Sequence, residues 1–216
     1  MELIFKNFWL MIMFSALSMI VACSAQDEVS SEFRCLQEIP KTLEAQFNNY
    51  QLAQTSDFVT SIRNYASEND KNILTCSIFE ADFNRDRLND YALLLIAEDK
   101  THFRFLILLN QGKEKFTEAL VKDYQTVNQL SEGIIYTSMS YKPSGELGIA
   151  QREYSPIKPD TPEGKTFIAA PAIELWEAIK DNKTNLPLDL ELDTLAYCSE
   201  VFYWQEENFK TVIVCD

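Results

Sequence analysis

Apolar residues recur at steps of three and four between Leu36 and Tyr65, and from Ile73 onward they gather into short runs divided by turn residues. Side chains return to one face of a helix every three to four residues but alternate across a strand, so the pattern predicts helices first and strands afterwards. Leu36, Ile39, Leu43, Phe47 and Tyr50 predict an amphipathic helix with Pro40 in its first turn and Asn48-Asn49 at its end. A second short helix is expected from Ser56 or Asp57, with Phe58, Ile62 and Tyr65 on one face. Strands are expected at 73–83 (ILTCSIFEADF), 91–97 (YALLLIA), 102–109 (HFRFLILL), 115–121 (KFTEALV), 134–141 (IIYTSMSY) and 147–151 (LGIAQ). Asp99-Lys100, Gln111-Gly112-Lys113 and Pro143-Ser144-Gly145 supply tight turns between them. The run at 91–97 is apolar at successive positions, as in a central strand covered on both faces. Residues 155–165 form a proline-rich loop, and 172–180 (AIELWEAIK) fits either a helix or a strand, with Pro171 leading in favouring the helix. The chain closes on two strands around Gln205-Glu206-Glu207-Asn208. The predicted fold is α+β: short N-terminal helices packed on a mainly antiparallel β-meander that ends in a β-hairpin.

The N-terminus carries a different signal. Phe8 to Ala22 is an apolar run broken only by two serines, which suits the core of a signal peptide better than a spanning helix of roughly 20 residues. It ends in Ile20-Val21-Ala22-Cys23, which resembles a bacterial lipobox. The resemblance implies a lipoprotein signal peptide over 1–22, acylation of Cys23 and its exposure as the first mature residue. Several acyl chains hold a protein on a membrane far more firmly than one. Ser24 stands where aspartate often marks inner-membrane retention, so the resemblance implies an outer-membrane anchor facing the periplasm. Residues 23–34 then read as a polar tether and 35–216 as a single domain.

Charge and cysteines narrow the partners. The chain has a net charge of −14, and removing residues 1–23 takes away only Glu2 and Lys6, which leaves that balance unchanged. Such a charge argues against nucleic acid and for a cation ligand or a basic protein partner. Of the five cysteines, Cys23 is assigned to lipid, and an even four remain for disulfides in an exported protein. If Trp204 faces Phe209 in the final hairpin, counting outward sets Cys198 directly opposite Cys215, close enough to bridge. Cys35 and Cys76 then pair by elimination.

One loop has the composition for metal chemistry. Asp82, Asn84, Asp86 and Asp90 occupy positions 1, 3, 5 and 9 of a loop between two expected strands, with the Leu88 carbonyl at position 7. Oxygens at that spacing can converge on calcium, which takes six to eight of them. The series resembles the D-x-[DN]-x-D-G-x-x-D loops of integrin-type FG-GAP repeats, which bind calcium. Together with the segment LEAQFNNYQLAQTSDF and the aromatic final hairpin, it resembles a class of bacterial proteins that carry a single DFNGDGxxDYALLL loop. The usual glycine at position 6 is Arg87, and Arg85 adds a second positive charge. Two readings therefore stay open: a cation loop, or a loop whose arginines replace the ion.

Catalytic signals are sparse. His102 is the only histidine, so a Ser-His-Asp or Cys-His unit would have to use it; at the start of a strand it reads as a surface residue. No phosphate-binding glycine loop or nucleophile elbow is present, and Glu206-Glu207 reads as a solvated pair. Tyr197, Phe202, Tyr203, Trp204 and Phe209 cluster on the hairpin and are expected to be core, with a partner or glycan surface on the outward half as the alternative reading. The expected role is non-enzymatic: a lipid-anchored envelope protein with a binding or structural function and a calcium-stabilised loop. The alternatives are an inhibitor or immunity-type protein that masks a basic enzyme and, last, a hydrolase.

Overall fold

The eight residues of β4 (Asp90–Ala97) are all buried, because their side chains divide between two cores. Ala92 and Leu94 point into one, and Tyr91, Leu93 and Leu95 into the other. This is how a run of successive apolar residues becomes a central strand. The structure, a computed structural model, describes residues 33–44, 46–68, 72–113, 115–126, 133–177 and 198–215.

Among these residues the chain is mainly antiparallel β-structure in two sheets. The first contains β1 (Arg34–Cys35), β2 (Tyr50–Leu52), β3 (Ile78–Ala81), β4, β5 (His102–Asn110) and β6 (Phe116–Gln125). Its order is β1-β3-β4-β5-β6, with β2 paired to the far end of β4. The second runs β10 (Asn208–Cys215), β9 (Cys198–Gln205), β8 (Ala172–Glu177), β7 (Thr137–Lys142). The β5–β6 ladder shifts register between Ile107 and Leu108, where Ala119 is the extra residue of a bulge.

The sheets face each other across a shared core. Phe79, Phe103, Phe105 and Ile107 come from the first, and Met139, Ile173, Leu175 and Phe202 from the second. Phe105 and Phe202 meet at 5.6 Å between ring centroids. Each sheet is also covered on its outer face. Leu43 and Phe47 pack on Ile78, Leu93, Leu106 and Leu108 of the first. Phe167 and Ala170 pack on Val201, Tyr203, Val212 and Val214 of the second.

Helices are few and short: α1 (Lys41–Glu44), α2 (Thr60–Glu68), α3 (Ile149–Tyr154) and α4 (Pro162–Ala169). The long helix expected across Leu36–Tyr50 is a correction. Among the described residues of this stretch only Lys41–Glu44 is helical, and the chain turns through Asn49, at φ 72°, into β2. The helix expected from Ser56 or Asp57 begins at Thr60, after a 3-10 turn over Thr55–Asp57. Two further assignments are reversed. Residues 172–177 are the strand β8, with Ile173 and Leu175 facing the inner core and Ala172 the outer; residues 178–180 lie outside the described residues. The expected strand at 147–151 gives way to α3. The proline-rich loop ends early, because Thr161 caps α4 by accepting the Gly164 N–H at 3.0 Å, with Pro162 at the first helical position. The tether also ends early. Phe33 stacks on Tyr141 at 4.5 Å and meets Phe83 at 5.9 Å, and Arg34 pairs with Glu80 by both ladder and side chain.

Both disulfides are present. Cys35–Cys76 closes 41 residues and Cys198–Cys215 closes 17. The final hairpin has the expected register, with Trp204 opposite Phe209 and Cys198 opposite Cys215.

Candidate metal loop and its surroundings

The loop between β3 and β4 is built from its own side chains. The Asp82 carboxylate accepts the backbone N–H groups of Asp86 at 3.0 Å and Arg87 at 2.9 Å. Asn84 Oδ1 accepts the Asp86 N–H at 3.1 Å, and Asn84 Nδ2 donates to Asp86 Oδ2 at 3.0 Å. Asp86 Oδ1 accepts the Leu88 N–H at 2.8 Å. Each carboxylate or amide thus closes a local turn, which is why Asp and Asn suit these positions. Arg85 and Arg87 adopt φ 65° and 71°, the left-handed region that glycine supplies in calcium loops. Both arginines are exposed, and among the described residues neither forms an ion pair with the loop's carboxylates. The loop's carboxylates are met by backbone amides and, at Asp86 Oδ2, by the Asn84 side-chain amide.

Asp90 stands apart from the other three. It is fully buried; Oδ2 accepts the N–H groups of Phe83 at 2.9 Å and Asn84 at 3.4 Å, and Oδ1 that of Asn110 at 2.8 Å. Burial pushes its carboxyl up to about 7 against the lowering effect of those three bonds. Asn110 also donates to the Asn89 carbonyl at 3.2 Å, so the 110–112 turn is fastened alongside the loop. Of the expected ligands, the structure brings together Asp82, Asn84 and Asp86, and it turns Asp90 inward as a bolt. Leu88 is half-buried at the loop's edge beside Gly112. Among the described residues no three His, Cys, Asp or Glu side chains converge closely enough to hold a metal ion.

A cation of the protein's own does converge oxygens. Lys142 is 1% exposed, and its Nζ donates to the carbonyls of Pro143, Glu146, Ile168 and Ala170 at 2.6–3.2 Å. It ties the 143–146 turn to the C-terminal end of α4, where free carbonyls favour a positive charge. Burial lowers its ammonium to about 8. Sequence reasoning missed this residue, because a lysine at the end of a strand gives no sign of being buried. Nearby, the Glu174 carboxylate accepts from Ser199, from Ser140 at 3.3 Å and from Gln151 at 2.8 Å. These bonds hold α3 to the outer face of the second sheet.

The remaining candidates resolve into structure. Phe202 and Tyr203 are core, Trp204 meets Phe209 edge to face at 5.1 Å, and Tyr197 lies outside the described residues. Glu206 and Glu207 form the exposed hairpin tip at φ 51° and 66°. A cleft of about 50 Å³ opens beside Cys35–Cys76, lined among others by Leu52, Gln54 and Ser77; ligand pockets run to several hundred Å³. No protein-family model, no curated protein and no solved structure matches the chain, so its function has to be read from its own residues.

Proposed function

We propose that the chain is an exported lipoprotein, acylated on Cys23, whose two-sheet domain serves the cell envelope in a non-enzymatic binding or structural role. The observation that supports this most is the pairing of the other four cysteines as Cys35–Cys76 and Cys198–Cys215. Disulfides of this kind persist in oxidising compartments, and the pairing leaves Cys23 as the one cysteine for lipid. Growth with an alkyne fatty acid, followed by coupling to a fluorophore, tests the reading. The expected result is a labelled, membrane-fractionating protein that loses both properties in Cys23→Ser. A wild-type protein that takes up no label refutes the anchor.

The 82–90 loop is proposed as a calcium-responsive corner of this domain. Asp82, Asn84 and Asp86 are already drawn together, and a cation would have to recruit Asp90 or water to complete its shell. At calcium concentrations near 100 times the dissociation constant, binding adds about 2.7 kcal/mol to stability. The melting midpoint of residues 24–216 with Cys23 absent should therefore rise by several degrees with calcium over EDTA, and Asp86→Ala should abolish the rise. An unchanged midpoint in both wild type and Arg87→Gly would reduce the loop to a turn closed by its own amides.

A further inference from the structure

His102, the chain's single histidine, belongs to a directed hydrogen-bond chain that crosses from one strand to another. Asp99 Oδ1 lies 2.8 Å from Thr101 Oγ1 and 3.0 Å from the Thr101 backbone N–H. Thr101 Oγ1 lies 2.9 Å from His102 Nδ1, and His102 Nε2 lies 2.8 Å from the Tyr50 hydroxyl on β2. The proton positions follow from the donors available. The Thr101 backbone N–H and hydroxyl hold the Asp99 carboxyl below its usual range, so at neutral pH it only accepts. Thr101 therefore spends its one hydroxyl proton on Asp99, and its oxygen accepts from His102 Nδ1–H. A neutral imidazole protonated on Nδ1 presents a bare Nε2, and Nε2 accepts the Tyr50 hydroxyl proton.

This order of a hydroxyl, an imidazole, an orienting group and a carboxylate is that of an activated nucleophile. Arg104, on the same strand as His102, sets its guanidinium 5.0 Å from the centre of the Tyr50 ring, where it favours negative charge developing on the phenol. Arg104 is itself held by Asp123 through bonds of 2.7 and 3.2 Å. Gln125 lies opposite His102 in the ladder, and the Glu98 N–H, just after β4, donates to the carbonyl of Asn49, the residue before Tyr50. Tyr50 and His102 both keep part of their surface in solvent.

We propose that Tyr50 is a base-assisted nucleophile toward tetrahedral sulfonyl or phosphoryl electrophiles, with His102 as its general base and Thr101 and Asp99 as positioning residues. In the step, the Tyr50 oxygen forms a bond to sulfur or phosphorus as its proton passes to His102 Nε2. The bond to the leaving group breaks, and that group departs with the bonding pair. The step ends in a covalent Tyr50 adduct, one capture per chain without turnover, so it accords with a non-enzymatic role and is independent of lipid anchoring and of the 82–90 loop.

The test is competition within one sample. The folded chain is treated with 4-(fluorosulfonyl)benzoate, which loses fluoride on capture by a phenol, and modified peptides are quantified over time. Tyr154, 45% exposed, is the internal reference. Tyr50 should react at least about tenfold faster, since general-base assistance is worth about 10²–10⁴-fold in enzymes. The ratio of its rate to that of Tyr154 should also fall in heavy water, because the Tyr50 proton moves to His102 in the step. His102→Gln should bring Tyr50 to the Tyr154 rate and remove the heavy-water effect, with the melting midpoint showing that the variant is folded. Asp99→Asn should lower the rate and change the heavy-water effect, which a purely structural role would not do. A Tyr50 rate no greater than that of Tyr154, or a ratio of the two that is unchanged in heavy water, overturns the proposal in wild-type protein alone. So does a folded His102→Gln variant that reacts as fast as wild type.

Discussion

Asp90 Oδ1 accepts the backbone N–H of Asn110 across 20 residues of sequence, while Oδ2 holds Phe83 and Asn84 of its own loop. One carboxylate thus fixes the entry of β4 to the end of β5. Its pKa is raised by burial to about 7 from 3.8, so the folded state binds this proton more tightly than the unfolded state does. Between those values the native state carries the extra proton, and linkage requires stability to fall as pH rises. The Asp90 contribution is therefore best below about pH 4 and fully reduced above about pH 7. Urea titrations of wild type and Asp90→Asn from pH 4 to 8 check this: the difference between them should move against wild type as pH rises. A difference that is constant with pH would refute it.

Lys142 gives the opposite slope in a different window. Burial lowers its ammonium from 10.5 to about 8, so between these values the unfolded state holds the extra proton and stability rises with pH. Removing the side chain leaves four carbonyls without their donor. Lys142→Met is expected to cost about 2–3 kcal/mol at pH 7, the cost of leaving buried acceptors unsatisfied. Lys142→Arg should not rescue it, because a planar guanidinium cannot replace a compact ammonium among convergent oxygens. Denaturant midpoints for the two variants measure both effects.

The tip of the final hairpin is held against the preferences of its residues. Glu206 and Glu207 both have positive φ, and left-handed backbone costs a side-chain-bearing residue roughly 1–2 kcal/mol. A two-residue turn of this kind favours Asn-Gly. Replacing Glu206-Glu207 by Asn-Gly should raise stability by about 1–2 kcal/mol, measured by thermal melting, with the Cys198–Cys215 bridge intact.

The two disulfides should differ in worth according to the chain they close. Loop-closure entropy assigns about 4 kcal/mol to the 41-residue loop of Cys35–Cys76 and about 3 kcal/mol to the 17-residue loop of Cys198–Cys215. The paired serine variants, compared by chemical denaturation without reductant, should lose stability in that order. The reverse order would show that strand pairing in the unfolded hairpin, or strain elsewhere, outweighs chain entropy.

Much of the β-structure was legible because it obeys alternation. The register of the final hairpin follows from one assumption, Trp204 opposite Phe209, and the structure has it. The reading at 36–50 is more instructive. Leu36, Ile39, Leu43, Phe47 and Tyr50 do share one core on the outer face of the first sheet. The periodicity therefore identified the right residues for that face but the wrong backbone, since a chain that folds over a sheet can deliver side chains at helical intervals without being a helix. At 172–177 the alternation of Ile173 and Leu175 with Ala172 and Glu174 was present, but Pro171 looked like a helix start. Tertiary coverage on both faces settled it as a strand. In the loop, spacing singled out Asp82, Asn84 and Asp86, and the structure brings these three together through hydrogen bonds. That Asp90 turns inward depends on the Asn110 amide, a partner that no local pattern announces.

Cys35–Cys76 also decides how the domain bears load. A pull on the chain before Cys35 crosses the sulfur bridge to Cys76 and enters the fold at β3, which is hydrogen-bonded on both sides, to β1 and to β4. Residues 36–75, closed within the covalent loop, carry none of that tension. Leu43 and Phe47, which cover the first sheet, and the helix α2 are thus shielded from force, and the Cys35 end of the two-residue strand β1 stays beside β3 while the bridge holds.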